Sequence, residues 1–256
     1  MTIAVITGAS SGLGRAFTQR LSREEDLDEI WAVARRAHRL EGLQDLCACP
    51  VRPIPLDLKE ESSLEILRDM LEKERPAISI LICAAGYGVM GDTVEIDPAD
   101  NAGMVDLNCK AAVAVTLMCR PYLRSGSRVL EISSAAAFCP VPGVNVYAAT
   151  KAFLESFAKG IHQEWKRDGI SVTAVCPYWT KDTEFIPRAQ AGKPGSWHSF
   201  PLATSTEQVV TRALRDSCRN RWLSTPGAVS SAAKVGTKLL PDGLLVPFLY
   251  RMRGKK

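Results

Sequence analysis

No Cys-x-x-Cys pair occurs among the eight cysteines (47, 49, 83, 109, 119, 139, 176 and 218), and the three histidines stand at no metal-ligand spacing. A structural zinc site and a dithiol redox centre are thereby excluded, and no metal is expected. Several cysteines sit inside apolar runs, as reduced thiols in a cytoplasmic protein do. A surplus of one charge is missing too: the formal net charge of +4 is spread over 256 residues, too thin to recruit nucleic acid yet compatible with an anionic cofactor. No composition break, linker, low-complexity tract or internal repeat divides the chain, so residues 1–256 are read as a single domain. No apolar run approaches the ~18 residues of a membrane span, and Met1 leads directly into a strand without room for a signal peptide. The expectation is a soluble chain with no transmembrane segment.

What is present is enough apolar residue, 46%, to fill a core. Thr2 to Thr7 reads as a buried strand, then Gly8-Ala9-Ser10-Ser11-Gly12-Leu13-Gly14 as a glycine turn, then Ala16, Phe17 and Leu21 as a helix. A tight turn needs Gly8, backbone approach to a pyrophosphate needs Gly12, and close packing of helix on sheet needs Gly14. Four further apolar strands are expected at 30–34, 78–83, 129–132 and 170–176. Strand 51–56 contains Pro53 and Pro55, so it is short or irregular, and a seventh strand is placed at 221–225. Helices between them make this an α/β, doubly wound parallel sheet of Rossmann type.

The end of the second strand decides between dinucleotides. A carboxylate there would accept from the adenosine ribose of NAD, but the residue is Ala34, followed by Arg35 and Arg36. With no carboxylate and a guanidinium available, a 2′-phosphate is favoured and the cofactor is NADP(H). Arg35 is assigned to that phosphate with help from Ser10 or Ser11, and Arg36 to the surface leading into a helix over 39–46. Asp57, closing the third strand, is placed to accept from the adenine amino group or to serve as a turn residue. Ala85 and Gly86 end the fourth strand with small side chains, as backbone pressed against a cofactor requires.

Chemistry concentrates between Ile132 and Lys151. Tyr147 and Lys151 stand four apart, on one helix face, so an ammonium neighbours a phenol and is expected to lower its pKa by roughly 1 to 3 units. Ser134 emerges at a strand's carboxyl end, where ligands bind in such sheets. Asn108 lies within a helix expected from the Asp97 cap and Pro98 to about Arg120. It serves either as a satisfied core amide or as the seat of a water beside the lysine.

Together, Thr7-Gly8-x-x-x-Gly12-x-Gly14, Asp57, Ala85-Gly86, Asn108, Ser134, Tyr147 and Lys151 resemble the short-chain dehydrogenase/reductase family, in order and spacing, from Thr2 to about Thr183. The resemblance implies hydride transfer between nicotinamide and a carbonyl carbon or secondary alcohol. It makes Tyr147 the acid/base and Ser134 the residue that orients the substrate oxygen. Lys151 holds the nicotinamide ribose and Asn108 seats a relay water. It adds Leu13, Leu58 and Pro177 to the cofactor contacts, together with Thr183, one residue later than usual, so that Thr180 stays open as the alternative. It also implies a homodimer or homotetramer. Cys83 replaces the usual asparagine of the fourth strand, and Tyr178 the usual glycine after Pro177.

Tyr178, Trp179, Phe185, Trp197 and Phe200 mark residues 178–203 as a substrate lid. They either line a pocket for a bulky apolar substrate of steroid, bile acid or fatty-acyl type, or pack the lid on the body. A helix opened by the capping box Thr204-Ser205-Thr206-Glu207 follows, and then a tail, 239–256, apolar and basic, that closes the pocket, packs in an oligomer or touches an acidic membrane. The alternative to an enzyme is a catalytically silent NADP(H)-binding regulator. The retained proton donor argues against it, and the glycine spacing argues against an epimerase or dehydratase.

Overall fold

The computed structural model describes residues 1–190, 197 and 200–253, so 191–196 and 198–199 of the expected lid and the last three residues of the tail lie outside the described residues. Seven strands form one sheet: β1 (Thr2–Thr7), β2 (Glu29–Ala34), β3 (Val51–Pro55), β4 (Ala77–Cys83), β5 (Leu123–Ile132), β6 (Ser171–Val175) and β7 (Leu223–Ser224). Their order is β3-β2-β1-β4-β5-β6-β7, with every pairing parallel. The chain starts in the middle, builds outward to β3, and crosses back to build from β4 to β7. The reversal between β1 and β4 opens a crevice at the strands' carboxyl ends.

Ten α-helices are described: α1 (Gly12–Glu24), α2 (Ala37–Glu41), α3 (Glu61–Glu74), α4 (Pro98–Val105), α5 (Ala112–Cys119), α6 (Asn145–Trp165), α7 (Phe185–Gln190), α8 (Thr206–Cys218), α9 (Ala228–Leu239) and α10 (Asp242–Met252). Strand side chains alternate between two cores, as a two-residue period requires. Val5, Leu81 and Val129 meet Leu64, Leu67 and Leu71 of α3, Val115 of α5 and Trp165 of α6 on one face. Ile6, Ile80 and Leu130 meet Phe17 and Leu21 of α1, Leu40 of α2 and Val210 of α8 on the other. Both faces are buried, which is why the strands read as continuous apolar runs.

The prolines of β3 are explained by its place at the edge. Ile30 donates to Pro50 and Leu56 donates to Ala34, so even-numbered residues of β3 face β2. Pro53 and Pro55 have the opposite parity and their missing N–H groups point away from the sheet. The strand is short, as expected, and regular in register.

Four boundaries differ from expectation. The helix after β2 starts at Ala37 and ends at Gly42, leaving 44–46 as a separate 3₁₀ turn. Strand β5 begins at Leu123, six residues early, with a register shift that accommodates Gly126. The capping box of α8 is Ser205 with Gln208, one residue later than read, because Thr204 instead bridges Thr180 in the lid. Finally, α4, a π-helical turn at Asp106–Ala111, α5 and a 3₁₀ turn make one 25-residue helix, Pro98–Tyr122, apolar and long enough to cross a membrane. Length and average composition qualify it, not an unbroken apolar run. Half of its most apolar stretch is buried inside the protein, as in a core helix.

Candidate active site

The glycine turn sits at the mouth of the crevice. Gly8 has φ +68, and a Cβ there would lie 2.7 Å from the Ala84 carbonyl oxygen; a Cβ on Gly14 would overlap the Gly8 carbonyl. Both glycines are required by close backbone approach. Thr7 Oγ1 accepts from Ala85 N at 3.1 Å, which ties the end of β1 to the Ala85-Gly86 turn.

Asn108 lies at the π turn and is fully buried. Its Nδ2 donates to Tyr87 O (2.9 Å) and Thr150 Oγ1 (3.0 Å), and its Oδ1 accepts from Tyr87 N at 3.0 Å. The side chain is thus spent on the turn after β4 and on α6, which is the satisfied-amide reading. A Cβ on Gly86 would stand 2.9 Å from that Oδ1 and 3.4 Å from Lys151 Nζ, so glycine lets the turn close over both.

Ser134, Tyr147 and Lys151 come together in the wall of a cavity of about 780 Å³ that is also lined by Gly8, Ser10 to Gly14, Arg35, Arg36, Asp57, Leu58, Pro177, Thr180 and Thr183. Ser133 Oγ donates to the Lys151 carbonyl (2.7 Å), which pins α6 against the end of β5, while Thr150 Oγ1 donates to the Tyr147 carbonyl (2.7 Å) within the helix. Ser134 Oγ caps a 3₁₀ turn by accepting from Ala136 N (3.2 Å) and hydrogen bonds to the Tyr147 phenol.

The expected lowering of the Tyr147 pKa is overturned. Burial pushes the phenol up to about 12, and the hydrogen bond with Ser134 opposes this only in part. The reason is geometric: Lys151 Nζ donates to the Ile132 carbonyl at 2.7 Å and lies 5.6 Å from the centre of the tyrosine ring. Burial also brings Lys151 down to about 8 against the pull of nearby Cys109 and Glu131. At neutral pH the site therefore holds a protonated phenol beside an ammonium.

Both arginines line the cavity, and one is placed differently from expectation. Arg36, expected at the surface, turns inward: its Nη2 donates to Ser10 Oγ (2.9 Å) and Ser11 Oγ (2.7 Å), its Nε to Ser10 Oγ (3.2 Å), and its Nη1 to Glu184 Oε2 (3.1 Å). Arg35 is the more exposed of the two, 61% against 25%, and its Nη1 lies 3.6 Å from Asp57 Oδ2. Asp57 additionally accepts from Lys59 N at 3.1 Å, the turn role read for it. Thr183 stands over the glycine turn, its Cβ 3.6 Å from where a Gly12 Cβ would be, while Thr180 pairs with Thr204.

Aromatic residues of the segment expected as a lid cluster with the tyrosine. Phe185 packs on Tyr147 with ring centres 5.2 Å apart, Trp179 lies 6.3 Å from Phe185 and 4.7 Å from Phe200, and Trp197 Nε1 donates to Pro142 O at 3.1 Å. Leu249 and Met252 of α10 also line this apolar end of the cavity. An ion pair between Arg253 and Asp92 anchors the tail.

Two groups escaped the sequence reading. Glu131 is fully buried on β5, where Thr116 Oγ1 donates to its Oε1 at 2.6 Å, and Thr116 Oγ1 lies 3.3 Å from Cys83 Sγ. This chain of contacts joins β4, α5 and β5 where Cys83 replaces an asparagine. A carboxylate inside the run Val129-Leu130-Glu131-Ile132 was the available signal. Glu184 is the other, and nothing near it in sequence marks it.

Among known proteins, a family model described as short chain dehydrogenase matches residues 2–193. Sulfoacetaldehyde reductase 2 of Chromohalobacter salexigens is 32% identical over 192 residues, covering 72% of this chain and 74% of that protein. A short-chain dehydrogenase from Sphingobium yanoikuyae, solved in complex with NADPH, is 27% identical with a TM-score of 0.78, covering 100% of this chain and 98% of that one. The bulky-bulky ketone specific alcohol dehydrogenase from Comamonas testosteroni is 26% identical with a TM-score of 0.73, covering 96% and 94%.

Proposed function

The chain belongs to the short chain dehydrogenase family, and from that premise we propose that it is an NADP(H)-dependent oxidoreductase acting on a bulky apolar ketone or the matching secondary alcohol. The observation that carries this reading is one continuous cavity with the glycine turn and Arg36 at one end and Ser134, Tyr147 and an aromatic lid at the other. The residues fit the dinucleotide: Gly8 and Gly14 leave backbone where a Cβ would intrude, and Ser10, Ser11 and Arg36 offer hydroxyl and guanidinium donors for a 2′-phosphate. NADP(H), when bound, supplies or takes up the hydride. Ser134 Oγ holds the substrate oxygen, and Tyr147 Oη gives that oxygen a proton in reduction and takes it back in oxidation. Lys151 keeps positive charge beside the phenol as its proton leaves.

A ketone panel monitored by NADPH absorbance tests the substrate. The lid aromatics and the Comamonas testosteroni neighbour support bulky ketones; reaction with small anionic aldehydes alone would overturn this part of the proposal.

The cofactor is tested by binding. Arg36→Ala is expected to weaken NADPH by about one to two orders of magnitude, since a charge-assisted hydrogen bond contributes roughly 1.5–3 kcal/mol, and to leave NADH within about twofold. Titration of both cofactors into both proteins measures it, and equal loss for the two counts against the assignment.

Lys151 gives a pH signature. Its pKa is lowered to about 8, so the ammonium is present below that pH and lost as pH rises through it. Ketone reduction at saturating NADPH should be level below the break and fall above it. A rate unchanged well past that pH would remove the ammonium from the mechanism.

A further inference from the structure

Three consecutive lid residues touch three different parts of the site. Thr183 stands over the glycine turn, Phe185 packs on Tyr147, and Glu184 between them reaches the arginines that follow β2. Its Oε2 lies 3.1 Å from Arg36 Nη1 and 2.6 Å from Arg188 Nη2, and its Oε1 lies 2.5 Å from Arg39 Nη1. Hydrogen bonds from Arg39 and then Arg36 hold the carboxyl down at about 2, so it is ionised throughout the physiological range. One carboxylate thus faces three guanidinium groups, and the surplus of positive charge is what a phosphate dianion seeks.

Four of the five N–H donors of Arg36 are engaged. Its Nε and Nη2 are engaged by Ser10 and Ser11 and its Nη1 by Glu184. An anion entering beside Ser10 and Ser11 competes with these partners for the guanidinium, and of the three only Glu184 also repels it. We propose that Glu184 is a cofactor-sensing clasp, an internal anion that holds Arg36 and Arg39 until a 2′-phosphorylated dinucleotide competes it away. This rests on the NADP(H) reading and extends it. Release of Glu184 frees the lid at the residue next to Phe185, so the adenosine end of the cavity communicates with the ring packed on Tyr147. A dinucleotide lacking the 2′-phosphate leaves the clasp in place.

The test is Glu184→Gln, a half-exposed position where the amide keeps the side chain's size. Dissociation constants of NADPH and NADH for the unmodified protein and this variant are compared by energy transfer from tryptophan to the nicotinamide. The expected result is NADPH binding about tenfold tighter in the variant and NADH binding within about twofold. Unchanged or weaker NADPH binding overturns the clasp, and so does equal tightening of both cofactors. Arg36→Ala, titrated in parallel, separates the two layers of argument. Loss confined to NADPH with no effect of Glu184→Gln leaves the cofactor reading standing and removes the clasp; no loss in Arg36→Ala removes both.

Discussion

Tyr147→Phe is expected to reduce turnover by roughly two to four orders of magnitude, the range a positioned proton donor contributes, while NADPH affinity stays within about twofold. Only one oxygen is lost. The ring is buried and keeps its packing against Phe185, Lys151 keeps its bond to the Ile132 carbonyl, and Ser133 and Thr150 still hold the backbone of α6. The phenol, at about 12, carries its proton at any working pH, so the wild-type protein enters the reduction loaded and the variant has nothing to give. Single-turnover oxidation of NADPH by an accepted ketone, with the cofactor dissociation constant measured beside it, separates the two effects. A parallel fall in both would mean that the hydroxyl holds the site together, and full turnover would exclude Tyr147 as the donor.

The second large effect concerns stability. Glu131 is buried, and burial raises its carboxyl to about 7 from an ordinary 4.5, with Thr116 and Cys83 hydrogen bonding and the Lys151 charge pulling the other way. A raised carboxyl means that the folded chain keeps a proton the unfolded chain has released. Stability is therefore complete below the unfolded pKa, declines as pH rises towards about 7, and levels off above it. Integrated over that window the loss is about 3 kcal/mol. Glu131→Gln should abolish the slope, because an amide does not ionise, whatever constant offset the new side chain introduces. Denaturant unfolding across the acidic-to-neutral range reads the slope directly. An unaltered slope in the variant would place the titration elsewhere.

Features encoded by neighbouring residues were legible in the sequence. The glycine turn announces itself because Gly8 and Gly14 answer to backbone crowding within one strand-turn-helix unit, and Tyr147 with Lys151 because helical spacing puts them on one face. Which of Arg35 and Arg36 turns inward was not legible, since it depends on the non-helical backbone of Arg36 at the start of α2, with φ −90 and ψ 89. Glu184 could not be found at all: it meets Arg36 from 148 residues away, a pairing created only by the lid. The sign of the Tyr147 shift failed for a different reason. Spacing reported that a cation was near, but its distance and the desolvation of the phenol are properties of the packed crevice. The π turn at Asn108 likewise leaves no mark in a sequence whose helical signal runs through it without interruption.

The two edges of the sheet are poor templates for a further strand. A parallel strand recruits a newcomer through a row of open N–H and C=O groups, the same template that amyloid growth uses. On the outer side of β3 two successive donor positions are proline, so a docking strand would find acceptors with no matching donors. At the opposite margin β7 is only two residues long and offers almost no ladder to extend. Sheet-to-sheet polymerisation is therefore disfavoured at both margins.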